Sequence, residues 1–485
     1  MLRFQFSCSD PEPWVEHQLR GARLSDSRRR ERAVKIAKSF ARHPGKTIPQ
    51  LCERKYEMDA TYDFFKRPEA TPDNIQAGHR EAIRGEAAQP GRTILLLEDT
   101  TEMTWPGNEP IEGLGPIGSG AKGLQGFLLH SVLAVRWPKP DGAEPEGKRP
   151  PVDVLGLADQ QYHVRQRHCG PKRRREAPAG TKRMFESQLW ERAGKRLGPA
   201  PEGVRWVRVC DRGADLYEFL TGCRALNHGF VVRAAKDRCL EEPVSGTPAG
   251  NLFPTVRQSQ PLGRFTISLR TRPKQKARTV QLSVSVTSVV LRSTQRPGHP
   301  PGSLPGIPCT VVRVFEAAPP RQVKEPLEWI LLTDQPVAGF DEAVDVALQY
   351  ATRWLIEEFH KALKTGLGAE KLQLEAAGRL FAAIAIMSLV ALRLIDFRER
   401  VRVMPDEPAE QSGLSPLELQ VLRVRLGRSI QTVRNVALAV GRLGGHLNRK
   451  SDSMPGWITL WRGFRDLELL VQGVRLSKKL RRFQE

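Results

Sequence analysis

At 485 residues the chain is long enough for about two to four domains of ordinary size, roughly 100–200 residues each. With 40% hydrophobic and 27% charged residues it has the composition of a globular protein with a sizeable core. Lys and Arg number 76 against 54 Asp and Glu; the net charge of +22 excludes an ordinary metabolic enzyme as first reading and points to a polyanionic partner.

The opening residues, Met1 to Asp10, lack the apolar stretch of a signal peptide. Residues 1–90 are polar, basic and helical in pattern. Ala33, Ile36, Ala37 and Phe40 recur at helical spacing behind Arg28-Arg29-Arg30-Glu31-Arg32. Further helices are expected over Ile48–Tyr56 and Ala60–Phe65, and Thr71-Pro72-Asp73 reads as an N-cap with proline in the first turn. Short helices carrying Arg28, Arg32, Lys38, Arg42, Lys66 and Arg67 suit a duplex-binding module, because clustered cations neutralise phosphates. A solvated helical surface accounts for any one of these cations alone.

From about Arg92 the pattern changes to strands. Thr93–Leu97 is a continuous apolar run of the kind covered on both faces, and Phe127–Trp137 and Val152–Leu157 follow. An amphipathic helix is expected over Met184–Leu197, then a strand over Val204–Cys210 and a helix from Ala214. Gly113, Gly115 and Gly118 satisfy G-x-G-x-x-G, but prolines 106, 110 and 116 surround them and a strand follows. That is a loop and no dinucleotide site, so no nucleotide cofactor is expected. Residues 237–325 read as a β-rich insertion: Phe265–Leu269 and Val280–Val286 alternate with period two around a basic hairpin tip, and proline-rich stretches close it.

Glu328–Thr333 is the last expected strand, and helices follow to the end. Leu380–Leu392 is apolar except for Ser388 and falls short of the roughly 20 residues that span a bilayer, so it predicts a buried core helix and no membrane partner. The seven cysteines are scattered without a C-x-x-C pair, which predicts a reducing compartment, and His163, His168 and Cys169 lack a fourth ligand at a familiar zinc spacing.

The residues that can do chemistry are carboxylates. Asp99 ends the first apolar strand and Asp211 a later one, while Asp215 reads as a surface residue. Acids at the ends of neighbouring buried strands can converge on a divalent metal, although either alone is better read as starting a turn or capping a helix. On one helix at about 100° per residue, Tyr350, Arg353, Glu357 and Lys364 share an arc of roughly 60°, with Leu355, Phe359, Ala362 and Leu363 opposite. Glu358 falls about 100° from Glu357 and off that stripe. A solvated polar face competes with a DNA-facing one here. Three acids sharing two Mg²⁺ ions is the two-metal arrangement for phosphodiester chemistry.

With these residues the sequence resembles the bacterial insertion-sequence transposases of the cut-and-paste DDE type, which carry a Y-(2)-R-(3)-E-(6)-K signature. Tyr350, Arg353, Glu357 and Lys364 keep that spacing, within Arg353-Trp354-Leu355-Ile356-Glu357-Glu358-Phe359-His360-Lys361. Further matching stretches are Glu98-Asp99-Thr100-Thr101, His130–Leu133, Val209–Asp215, Phe230–Arg233, Leu327–Thr333, Arg442-Leu443-Gly444-Gly445 and the Trp457, Trp461 pair. Gly126–Leu129 and Leu363 depart from the family pattern, where aromatics stand.

The resemblance implies an α/β protein: an RNase H-like catalytic core over residues 91–375, with its β-rich insertion at about 237–325. A helical DNA-end-binding domain (1–90) and a C-terminal helical dimerisation domain (376–485) would flank it. It implies Asp99, Asp211 and Glu357 as catalytic metal ligands for two Mg²⁺ ions, with Mn²⁺ as substitute. It implies that Tyr350, Arg353, Lys364 and Arg233 hold the DNA backbone, that Trp329 stacks on an extruded base, and that Arg28, Arg32 and Lys66 contact the transposon end. The implied partners are double-stranded DNA, both transposon ends and target, and a second copy of the chain; the implied location is the bacterial cytoplasm, on the nucleoid. Two other classes fit the residues: a metal-dependent nuclease that cuts without joining, and a DNA-binding protein whose acids are idle.

Overall fold

The computed structural model describes residues 12–482 apart from 108, 119–122, 139–151, 167–184, 243–247, 270–277, 294–299, 301–302, 321–322, 324, 428, 450–451 and 453. Met184, the tip of the basic hairpin and the Trp457 side chain, all singled out in the sequence, lie outside what is described. Six helices open the described residues: α1 (Glu12–Leu19), α2 (Ser27–Arg42), α3 (Ile48–Leu51), α4 (Lys55–Phe65), α5 (Pro72–Ile75) and α6 (Ala77–Ala87). Asp26 caps α2 by accepting from the Arg29 N–H at 2.8 Å, and Ala33, Ile36, Ala37 and Phe40 are its buried face, as the spacing predicts. Thr71 caps α5 with Pro72 in the first turn. The expected Ile48–Tyr56 helix is instead two elements. The backbone is extended at Cys52 and Arg54, which lets Leu51 and the Phe64–Phe65 pair enter one core from different directions.

Among the described residues twelve strands form one mixed sheet. They are β1 (Thr93–Pro106), β2 (Gly115–Pro116), β3 (Leu124–Trp137), β4 (Asp153–His163), β5 (Arg205–Cys210), β6 (Gly229–Arg233), β7 (Cys239–Glu241), β8 (Pro248–Asn251), β9 (Gly263–Leu269), β10 (Arg278–Leu291), β11 (Ile307–Phe315) and β12 (Glu328–Thr333). Their order is β2-β3-β1-β5-β6-β12-β11-β10-β7-β8, with β4 beside β3 and β9 beside β10. β1, β5 and β6 run parallel and are largely buried on both faces, which explains their mostly apolar sequences. The inserted strands do not make a separate layer. β11 pairs with β12 across six residues, so the insertion prolongs the main sheet. α7 (Gln188–Leu197) and α8 (Tyr217–Ala225) cover one face near β5, and α9 (Leu252–Gln258) packs on β10 and β11.

The chain then becomes helical: α10 (Phe340–Thr352), α11 (Trp354–Lys361), α12 (Ala377–Val403), α13 (Pro416–Leu426), α14 (Val433–Leu443) and α15 (Trp457–Arg482). α12 is long and apolar enough to cross a membrane by composition alone, but 89% of its apolar window is buried inside the protein. It packs on α2, α5, β4 and α14. Ser388, the one polar interruption of its apolar run, accepts from the Gln160 amide at 3.1 Å, and Gln160 in turn accepts from Gln76. A buried hydroxyl is tolerated because it is bonded. Gly444 of the Arg442–Gly445 motif is where α14 and α15 touch: a Cβ there would lie 1.9 Å from the Thr459 carbonyl oxygen.

The N-terminal helices are fastened to the sheet by His79. Its Nε2 accepts from the Leu157 N–H at 3.0 Å and its Nδ1 meets the Gln18 side-chain oxygen, so the ring is neutral with the proton on Nδ1. Burial, with Arg80 nearby, pushes its pKa down from 6.5 to about 3. Folding therefore favours the uncharged ring; that stability is complete above pH 6.5 and is lost as pH falls toward 3. Between pH 7 and pH 5 the loss is about 2 kcal/mol by linkage. Urea unfolding at the two pH values should show a difference smaller by that amount in His79→Gln; an unchanged difference refutes the assignment.

Candidate active site

Parallel pairing of β1 with β5 sets Glu98 beside Cys210, so Asp99 follows that pair on β1 and Asp211 follows it just past the end of β5. Asp99 does not end its strand, as the sequence suggested. β1 continues to Pro106 because β3 pairs with its whole length, while β5 stops at Cys210. Asp211 therefore begins a turn: it accepts from the Gly213 N–H at 2.9 Å and caps the 3-10 turn Arg212–Ala214. Asp215 is no surface residue. Its side chain is fully buried, accepting from the backbone N–H groups of Ala235 and Lys236 and from Arg238 Nε at 2.7 Å. The sequence hid this because the partners lie some twenty residues away.

The expected single helix is two. α10 ends at Thr352, Arg353 forms the junction, and α11 passes at Ala362 into a π-helical turn that runs to Gly366. The straight-helix arc thus fails at both ends. Tyr350 is buried, its ring edge-on to Trp329 at 5.2 Å, and Trp329 itself is half-buried on β12. Lys364, in the π turn, donates to the Glu102 carbonyl at 2.7 Å and pairs with Glu370 at 3.2 Å. It stands further along β1 than the acids. Arg233 ends β6 and donates to the Glu328 carbonyl at 2.9 Å, next to Trp329.

Arg353 is the centre of the arrangement. Its guanidinium lies 2.5 Å from Glu357 and 3.8 Å from Asp99, and Asp211 acts on it electrostatically. Burial alone would lower its pKa; Tyr350 and the three acids outweigh that and raise it, so the cation is held firmly. Burial would likewise raise Asp99, but His360, with Nδ1 3.7 Å from the carboxylate, and Arg353 keep it below the usual carboxylate range. His360 is a residue the sequence reading missed, and the signal was available: it lies one turn after Glu357. Glu358 is buried, accepting from Trp354 Nε1 at 2.8 Å and pairing with Arg398 of α12, which leaves Glu357 as the acid facing the site. Among the described residues, no three carboxylate, imidazole or thiolate groups are close enough together to hold a metal as the side chains stand.

Of the N-terminal cations, Arg28 and Lys66 are exposed and Arg32 is half-buried; Lys66 reaches Asp63 at 3.2 Å. Lys38 is tied to Glu16 at 3.0 Å. Residues 11–70, which include α1 to α4, match the family described as transposase DNA-binding. These helices are thus similar to the DNA-binding part of transposases. The match supports a transposase with DNA as its partner, which the net positive charge fits.

Proposed function

We propose that the chain is a cut-and-paste DDE transposase of the Y-R-E-K type, with an RNase H-like core and Asp99, Asp211 and Glu357 as its catalytic acids. The observation that carries this reading is that Asp99 of β1 and Glu357 of α11 meet at the Arg353 guanidinium, with Asp211 just past the end of the neighbouring β5. All-oxygen donors suit Mg²⁺ or Mn²⁺, and two of the acids, Asp99 and Glu357, already share one cation. Bound there, two divalent ions would activate the attacking water or 3′-hydroxyl and stabilise the leaving oxygen. The chain's own part is to place the DNA. Arg353 and Lys364 offer charge to phosphate oxygens, Tyr350 a hydroxyl, and Arg233 a further cation beside Trp329, whose face can stack on an extruded base. The N-terminal cations Arg28, Arg32 and Lys66 hold the transposon end.

The test is the product. Incubated with Mg²⁺, a labelled DNA end and a target plasmid, the chain should nick the end, convert it to a hairpin, release it and join it to the target. Cutting without joined product identifies the nuclease instead, and binding without cutting the idle DNA-binding protein. The active form in this reading is a homodimer on two ends, on the bacterial nucleoid. Leu469, Leu476 and Leu480 of α15 are more than half exposed, an apolar line suited to a second copy. Leu476→Glu with Leu480→Glu should leave single-end binding intact and lower two-end complexes roughly tenfold. Native gels resolve the two species, and undiminished pairing removes α15 from the dimer contact.

A further inference from the structure

The face of the sheet opposite the acids carries a second group of polar residues that the reaction does not use. Side chains alternate along a strand, so Glu98 and Thr100, the neighbours of Asp99, both point away from the site. Both meet His130 of β3: Thr100 Oγ1 lies 2.8 Å from Nδ1, and Glu98 stands 3.5 Å from Nε2. Glu98 is also gripped by the guanidinium fork of Arg208 on β5, with Nη2 at 2.7 Å, and the same Nη2 donates to the Trp190 carbonyl at 2.6 Å. Glu98 and His130 are wholly buried and Arg208 is 1% exposed. The helix above is cut to fit, since a Cβ on Gly194 of α7 would come within 2.7 Å of Arg208 Nη1.

Such a pair is a poor device for stability alone, because apolar side chains of like volume commonly do as well. It is a good device for register. Arg208 sits opposite Leu96, two residues before the Glu98–Cys210 pair, so the fork reaches diagonally along the sheet and resists sliding of β1 against β5. We infer that Thr100, His130, Glu98 and Arg208 are positioning residues that fix Asp99 at the level of Asp211. The inference rests on the reading of those two acids as catalytic.

The test replaces the pair by apolar side chains. Glu98→Leu with Arg208→Met should fold and bind end DNA within about twofold of the native chain. Its first-nick rate should fall roughly tenfold or more, because sub-ångström misplacement of reacting groups is that costly. The Mg²⁺ concentration for half-maximal nicking should rise with it, which a loss of stability alone would not produce. A folded double variant that nicks at the native rate and Mg²⁺ requirement overturns the inference. Should that variant not fold, Thr100→Val removes only the His130 contact; a raised Mg²⁺ requirement supports the inference, and an unchanged one refutes it. Asp99→Ala is measured alongside: normal nicking by it would defeat the catalytic reading instead.

Discussion

Alanine at Asp99, Asp211 or Glu357 should lower metal-dependent strand cleavage roughly a thousandfold or more, about 4 kcal/mol of barrier. Each acid enters the site from a different segment, so none can stand in for another. Binding of a labelled end should survive, because the matched DNA-binding residues 11–70 lie apart from all three. Gel shift and a cleavage time course on one fragment separate the two properties. A variant that cleaves at the native rate takes its acid out of the catalytic set. For Asp99 the change also deprives Arg353 and His360 of a partner, so Asp99→Asn, which keeps the shape, is the cleaner comparison.

Arg353→Ala should separate steps. In the proposed reading only the carboxylates would hold metal, so the first nick, which needs activated water, should survive. Forming a hairpin brings two phosphate backbones together, and there an added cation matters most, so nicked DNA should accumulate while hairpins fall by about a hundredfold, or roughly 2.7 kcal/mol. Lys364→Ala should show the same pattern more weakly, since Lys364 stands by Glu102 and Glu370. Equal loss of nick and hairpin in Arg353→Ala would assign the guanidinium to holding Glu357 and Asp99 in place, the contacts it makes here.

Much of the placement of these residues in strands and helices was legible in the sequence, for identifiable reasons. The apolar run Thr93–Leu97 and the largely apolar Val204–Cys210 lie in buried parallel strands, although the first of these runs on past Asp99 to Pro106. Glu357 was separable from Glu358 by angle alone, and Glu358 does turn toward α12. Long-range partners were not legible. Nothing near Asp215 foretells Arg238, and nothing near Glu98 foretells Arg208, because a fork that closes across two strands leaves no periodic trace. The breaks at Arg353 and Ala362 were hidden too, as their residues are good helix formers.

The placement of α12 has a consequence for how such a chain can change over generations. Its sides are claimed at once by α2 and α5, by β4 and by α14. A substitution along it is felt in the N-terminal helices, the sheet and the C-terminal helices together, so changes there are expected to come as concerted exchanges. The front half of one relative cannot simply be grafted onto the back half of another, because the shared spine belongs to both.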